Sequence, residues 1–255
     1  MIDLTIIILI LILAFGCELI DSSQGMGYGT LMCPVLFLLG FDIFIIIPSI
    51  LFAEMLTGFS SALFHHEMDN CKLGIKERNL RIVLFVSVLC IIAMIISIII
   101  VLQIPQIFIE IYTGIMVIIL GLVLLFRKKA IFSWKKLEII SVIGAFNKAI
   151  SGGGFGPIIT AGQMLSGRNY KESIGTTKAA EFFVSLAGFF TFYIFYGISD
   201  YTLLKLLVIS GTFATPFGAW GTKSIKSENK AKILISILAI SIGLILLVKI
   251  MICGI

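Results

Sequence analysis

Glu54 and Glu181 each stand inside a long apolar run of this 255-residue chain. An ionised carboxylate in the middle of a bilayer costs about 3 kcal/mol or more, so such a group faces a protein interior or carries a proton. Each acid is therefore a candidate for proton coupling, or for a structural hydrogen bond to a carbonyl at a helix break. Lys178 precedes Glu181 by three residues on the same helix face and is placed for an ion pair. In the matching place before Glu54 stands Leu51. Lys148, with Asn147 beside it, comes just ahead of a glycine-rich break, where it could meet an anion or neutralise a carboxylate. Glu54, Gly58 and Ser61 fall at i, i+4 and i+7, and Glu181, Ser185 and Gly188 repeat that stripe, which predicts a shared interface.

Two glycine runs interrupt apolar stretches: Gly25-Met26-Gly27-Tyr28-Gly29 within residues 4–40, and Gly152-Gly153-Gly154-Phe155-Gly156 within 138–167. Such runs break a helix, because the glycine backbone is free to take other conformations. A helix that starts after a break presents unsatisfied N–H groups and the positive end of its dipole, both suited to an anion. Pro157 fits the first turn of such a helix, since its missing N–H would have been orphaned there. Phe155 and Tyr28 could line or gate the cavity. The competing reading is that the glycines only let helices pack closely. We favour anion binding for the second motif, because Gly-Gly-Gly-Phe-Gly-Pro stops a helix and packing motifs do not.

The elements that must carry these groups follow from composition. Hydrophobic residues make up 59% of the chain and charged residues 13%, with a mean hydropathy of +1.15. A soluble domain carries roughly 25% charged residues, which excludes a soluble enzyme, a nucleic-acid reader and a disordered protein. Apolar runs long enough to cross a membrane are expected at about 43–64, 82–102, 107–126, 173–197, 202–222 and 233–252. Fifteen of the 19 Lys and Arg fall in 65–81, 127–136, 163–172 and 223–232, which the positive-inside rule puts in the cytoplasm. The connections around Asp21, Asp42, Gln103 to Gln106 and Asp200 fall on the other side. Both 127–136 and 163–172 can be cytoplasmic only if 138–167 enters and leaves on one side, as a re-entrant pair buried in protein or against a water-filled cavity.

A shift of 127 residues lays the chain on itself without a gap. Gly25, Gly27, Tyr28 and Gly29 fall on Gly152, Gly154, Phe155 and Gly156, and Ala53-Glu54 falls on Ala180-Glu181. Each copy then holds a glycine-broken pair and three crossings, an odd number, so the second copy runs upside down relative to the first. This is the plan of many secondary transporters, with the substrate at broken helices near the midplane. The expected fold is an all-α membrane protein, an inverted repeat of two four-element units. Residues 1–126 form the first, 127–138 a cytoplasmic linker and 139–255 the second. Whether 4–22 spans fully or forms half of a re-entrant pair stays open.

These residues resemble the sulfite exporter TauE/SafE family. The resemblance rests on Gly152-Gly153-Gly154-Phe155-Gly156-Pro157-Ile158-Ile159-Thr160 and Gly167, then Ile174-Gly175-Thr176-Thr177 and Ala180-Glu181-Phe182-Phe183-Val184. A weaker first copy has Met26 where the family usually has glycine. The resemblance implies a small multi-pass carrier of the cell membrane that moves sulfite, organosulfonates or similar sulfur anions. The expected substrate contacts are Gly25, Gly27, Tyr28, Gly29, Asn147, Lys148, Gly152, Gly153, Gly154, Phe155, Gly156, Pro157 and Thr176, with Glu54, Glu181 and Lys178 as coupling or structural groups.

Other chemistry is weakly supported. His65-His66-Glu67 lacks a third ligand with useful spacing and is expected to be solvated at a helix end. The five cysteines are scattered without a C-x-x-C pair, so neither metal nor disulfide is expected. No Walker motif, nucleophile elbow or dinucleotide fingerprint is present, and no cofactor is expected. The first residues lack the basic stretch of a signal peptide and read as retained. Trp134 and Trp220 suit the membrane interface. The expected partners are a small anion and the bilayer, without nucleic acid, and self-association stays open. The rival from another class is an intramembrane enzyme or a scaffold without a transport cycle, but Ser151 and the acids offer no nucleophile–base spacing.

Overall fold

The computed structural model describes residues 3–126, 134–165, 168–198, 200–224 and 228–253. Among them the chain is all-helical, with ten helices and no strand. In order these are α1 (Leu4–Gln24), α2 (Tyr28–Leu38), α3 (Ile43–Glu67), α4 (Arg78–Val101), α5 (Gln106–Phe126), α6 (Trp134–Ser151), α7 (Phe155–Leu165), α8 (Tyr170–Phe195), α9 (Tyr201–Ser224) and α10 (Glu228–Cys253). Six of them (α1, α3, α4, α5, α8 and α9) are long and apolar enough to cross a membrane. α1, left open between a full span and half a pair, has 21 residues and reaches that length alone. Of the expected linker 127–138, residues 127–133 lie outside the described residues, and 134–138 already belong to α6.

Isoleucine-rich segments such as α4 would be mediocre helices in water, since β-branched side chains lose rotamer freedom there. In a bilayer the backbone has no solvent to bond, and a helix satisfies every N–H and C=O within the segment. The starts of α3 and α8 are fixed locally. The side chain of Asp42 accepts a hydrogen bond from the Phe44 N–H (2.7 Å), and that of Asn169 accepts one from the Lys171 N–H (2.9 Å). Residues 42 and 169 are related by the same 127-residue shift, so equivalent caps open α3 and α8.

Outward faces carry large apolar side chains, among them Leu84, Val88, Ile92, Ile96, Phe213 and Trp220. Inward faces use small residues where helices touch. A Cβ on Gly58 of α3 would come within 3.0 Å of the Phe182 amide nitrogen on α8, and a Cβ on Gly121 of α5 within 2.9 Å of the Ser236 carbonyl on α10. The expected Glu54–Gly58–Ser61 stripe thus lies against α8. The most extensive helix pairings are α1 with α9, α5 with α10, α3 with α8, α3 with α9, α4 with α8 and α4 with α6.

The run of each interrupted pair can be read from its contacts. α1 lies alongside α9 in the same direction, with the Ser210 hydroxyl donating to the Leu11 carbonyl and the Thr222 hydroxyl to the Ser22 and Ser23 carbonyls. The α2 C-terminus returns to the end of the bundle where Lys249, late in α10, donates to the Phe37 carbonyl (2.8 Å) and Phe44 stacks on Tyr196. α7 runs toward the opposite end, where Arg168 donates to Asn79 (2.5 Å).

Candidate functional site

The two glycine breaks meet near the centre of the bundle. Between α1 and α2 the chain passes through Gly25 (φ 65°) and Gly27 (φ 81°), and between α6 and α7 through Gly152 (φ 67°) and Gly154 (φ 85°). These left-handed conformations strain any residue with a Cβ. The crossing is backbone against backbone. A Cβ on Gly153 would lie 2.6 Å from the Thr30 amide nitrogen, one on Gly156 2.7 Å from that of Gly27, and one on Gly29 would overlap the Gly152 carbonyl oxygen. The glycines therefore serve close approach as well as helix breaking. The Gly154 N–H donates to the Thr30 hydroxyl (2.8 Å), a link between the two breaks.

Around this crossing lies a chain of six buried charged side chains, each at most 1% exposed. Glu181 is its centre: Oε1 accepts from Lys148 Nζ and Oε2 from Lys178 Nζ, both at 2.8 Å. Lys148 also pairs with Glu54, and Lys178 with Asp21 and, at 3.6 Å, with Glu18. The carboxylates in turn hold the first break. Gly29 N–H donates to Glu54 Oε1 (3.0 Å), and Gly27 N–H donates to Asp21 Oδ1 (2.7 Å). The Ser22 hydroxyl donates to Glu18 Oε1 (2.5 Å), while Glu18 Oε2 has no hydrogen-bond partner.

Carboxylate oxygens of Asp21, Glu54 and Glu181 lie within 4.8 Å of one another, a spacing that could hold a cation. The ammonium groups of Lys148 and Lys178 already stand between these acids, so the positive charge there comes from the protein itself.

Several of the expected contacts join this centre. Lys148 and Lys178 both enter it as ion-pair partners, and Lys148 Nζ also lies 5.3 Å from the centroid of the Phe155 ring. Tyr28 is fully buried and its hydroxyl has no partner. Asn147 accepts a hydrogen bond from the Tyr112 hydroxyl, and with Pro157 it borders a cavity of about 390 Å³ among α5, α6 and α7. That cavity is walled mainly by Ile, Leu, Met and Val, a poor lining for an anion. Thr176 stands apart from the charged centre, donating to Gln163 Oε1 (2.7 Å) and to the Glu172 carbonyl. Gly167 lies outside the described residues. The Ser151 hydroxyl donates to the Asn147 carbonyl (2.8 Å).

Three findings depart from the sequence reading. Glu54, with Leu51 rather than a lysine three residues before it, nevertheless has a lysine partner, supplied by α6 as Lys148. His65, expected to be solvated, is fully buried with Nε2 2.8 Å from the Ser22 carbonyl. Asp21, read as lying at an outer connection, is a member of the charged centre because α1 continues inward to Gln24, and Glu18, which the sequence reading did not single out, joins it. A signal for Asp21 was present: the 127-residue shift lays it on Lys148, so an acid and a base occupy equivalent places.

The sulfite exporter TauE/SafE family matches residues 9–246. A probable membrane transporter protein of Bacillus subtilis (strain 168), YtnM, is 28% identical over 219 residues, covering 80% of this chain and 70% of that protein. No solved structure matches the chain. With the family covering most of the sequence and six helices able to span, this chain belongs to the sulfite exporter TauE/SafE family and is a multi-pass membrane transporter.

Proposed function

We propose that this transporter is a secondary carrier of a small anion (sulfite, a sulfonate or a related sulfur oxyanion) that binds at the glycine-broken helix ends near the bilayer midplane. The observation that carries the reading is the first turn of α2, where backbone N–H groups already receive carboxylates at 2.7 and 3.0 Å with Lys148 and Lys178 close by. N–H groups that donate to a carboxylate suit a sulfonate or sulfite oxygen equally well, since the helix start offers orphan N–H groups and a positive dipole end. The family's description as sulfite exporters supports the sulfur chemistry.

We read the architecture as an inverted repeat. α1–α5 and α6–α10 are related by the 127-residue shift, and the helix pairings keep their pattern when the halves are exchanged. α1 with α9 becomes α6 with α4, α3 with α9 becomes α8 with α4, and α3–α8 and α5–α10 map onto themselves. The broken pairs α1–α2 and α6–α7 would enter from opposite faces and meet at their glycines.

Purified protein in liposomes should exchange labelled sulfite, thiosulfate or methanesulfonate across the bilayer, and Lys148→Met should abolish the exchange. Liposomes that move none of the three anions faster than protein-free vesicles would refute this assignment.

A further inference from the structure

We propose that Glu54 is a built-in competitor of the transported anion: its carboxylate occupies the anion's place at the start of α2, and the anion enters together with a proton that neutralises this carboxylate. The inference rests on the anion-carrier reading above and names the coupled species.

Charge balance carries it. Glu18, Asp21, Glu54 and Glu181 are four carboxylates, Lys148 and Lys178 two ammoniums, and all six are sealed from solvent. If every group is ionised, the centre holds two negative charges in excess. An added anion would meet that excess in a medium where unit charges at contact interact far more strongly than in water. The donors the anion needs are also occupied, Gly29 N–H by Glu54 and Gly27 N–H by Asp21. One step lowers both obstacles: it removes one of the two excess charges and frees one of the two donors. A proton from the aqueous side forms an O–H bond on Glu54, the neutral carboxyl releases Gly29 N–H and Lys148, and a monoanion takes them. The net charge of the centre is then unchanged.

The Tyr28 hydroxyl, on a fully buried side chain, has no hydrogen-bond partner. Tyr28 lies between the two donating glycines and within electrostatic reach of Cys17, Glu18, Asp21 and Glu54. An incoming oxyanion gives its hydroxyl an acceptor. The titratable and charged groups around Glu54 come from α1 (Asp21), α2 (Tyr28, Cys33), α6 (Lys148) and α8 (Glu181), with Cys17 and Glu18 next to Tyr28 and Lys178 next to Asp21 and Glu181 beyond them. α9, packed on α3, brings Gly211 and Thr215 rather than a charge. A proton is favoured over a metal cation because the lysine ammoniums already fill the space between the acids.

The test is calorimetric titration of the full chain in detergent with sulfite, thiosulfate and methanesulfonate in turn. Each is run in two buffers of different ionisation enthalpy, without and with sodium, across a pH series. Methanesulfonate and thiosulfate carry no proton near neutral pH, so protons taken up belong to the protein. The expected result is about one proton bound per monoanion, with Kd weakening about tenfold per pH unit on the alkaline side by linkage. Glu54→Gln should bind more tightly than wild type at alkaline pH and lose the slope. Binding without proton uptake, binding that needs sodium instead, or a slope kept by Glu54→Gln would each overturn the inference while leaving the anion carrier standing. If none of the three anions binds, the carrier reading falls and this inference with it. The wild-type proton count decides even if the variant fails to fold.

Discussion

Glu181 touches both lysines, and each lysine touches at least one further acid, so neither lysine can be removed without leaving a buried acid short of a partner in the low dielectric. Breaking a buried pair from one side typically costs about 3–5 kcal/mol. Lys178→Met, which strands Asp21 and Glu18 and leaves Glu181 with Lys148 alone, should lower stability by that order, and Asp21→Asn in the same chain should recover most of it. Thermal unfolding of the single and double variants in detergent would read both effects; equal melting temperatures for Lys178→Met and wild type would contradict the pairing. Glu54, Glu181 and Lys178 were legible in the sequence because a charge in an apolar helix has so few acceptable surroundings. Their long-range partners were not. Glu18 and Asp21 border a polar Ser-Ser-Gln-Gly stretch that reads as the end of a crossing; apart from the alignment of Asp21 with Lys148, it is the packing of the helices that shows them inside.

Among elements, the interrupted pairs hold the most information per residue. The breaks at 25–29 and 152–156 were legible from glycine spacing, and so was the contact between the α3 and α8 stripes. The crossing of one break over the other was not, because no local rule says which two glycines lie face to face. The crossing makes Gly29→Ala severe: the added methyl overlaps the Gly152 carbonyl oxygen, and the helices must part or the backbone must shift. Gly16→Ala is the matched control. That glycine lies within α1 with nothing within 4 Å of an added Cβ, and the change should gain up to about 1 kcal/mol from helix propensity. Expression yield and melting temperature of the two variants should therefore move in opposite directions. Equal destabilisation would mean that the close approach at Gly29 does not limit packing.

At the scale of the whole molecule, sidedness is the quantity to measure. With the basic loops inside, single cysteines at Lys76 and Asn169 should resist an impermeant thiol reagent applied to intact cells, and one at Gln103 should react. All three positions are exposed on the bundle. The background is favourable: Cys17, Cys33 and Cys90 are buried, and burial pushes the Cys71 thiol up to about 12, leaving negligible thiolate at neutral pH. Cys253 would be replaced by serine. Labelling at 169 from outside would contradict the re-entrant course of α6–α7. The charge distribution predicts this sidedness, whereas the direct bond from Arg168 to Asn79, in the first turn of α4, depends on tertiary packing alone.

The bare backbone contact at the centre bears on how such a carrier could move. Side chains act as springs between helices, taking up small displacements by changing rotamer. Gly29 against Gly152, Gly153 against Thr30 and Gly156 against Gly27 have no such spring. The two broken pairs are geared tooth to tooth, and a tilt of one must be answered by the other in the same instant. In a carrier of the proposed kind, this contact would tie the opening of one face to the closing of the other through backbone atoms alone.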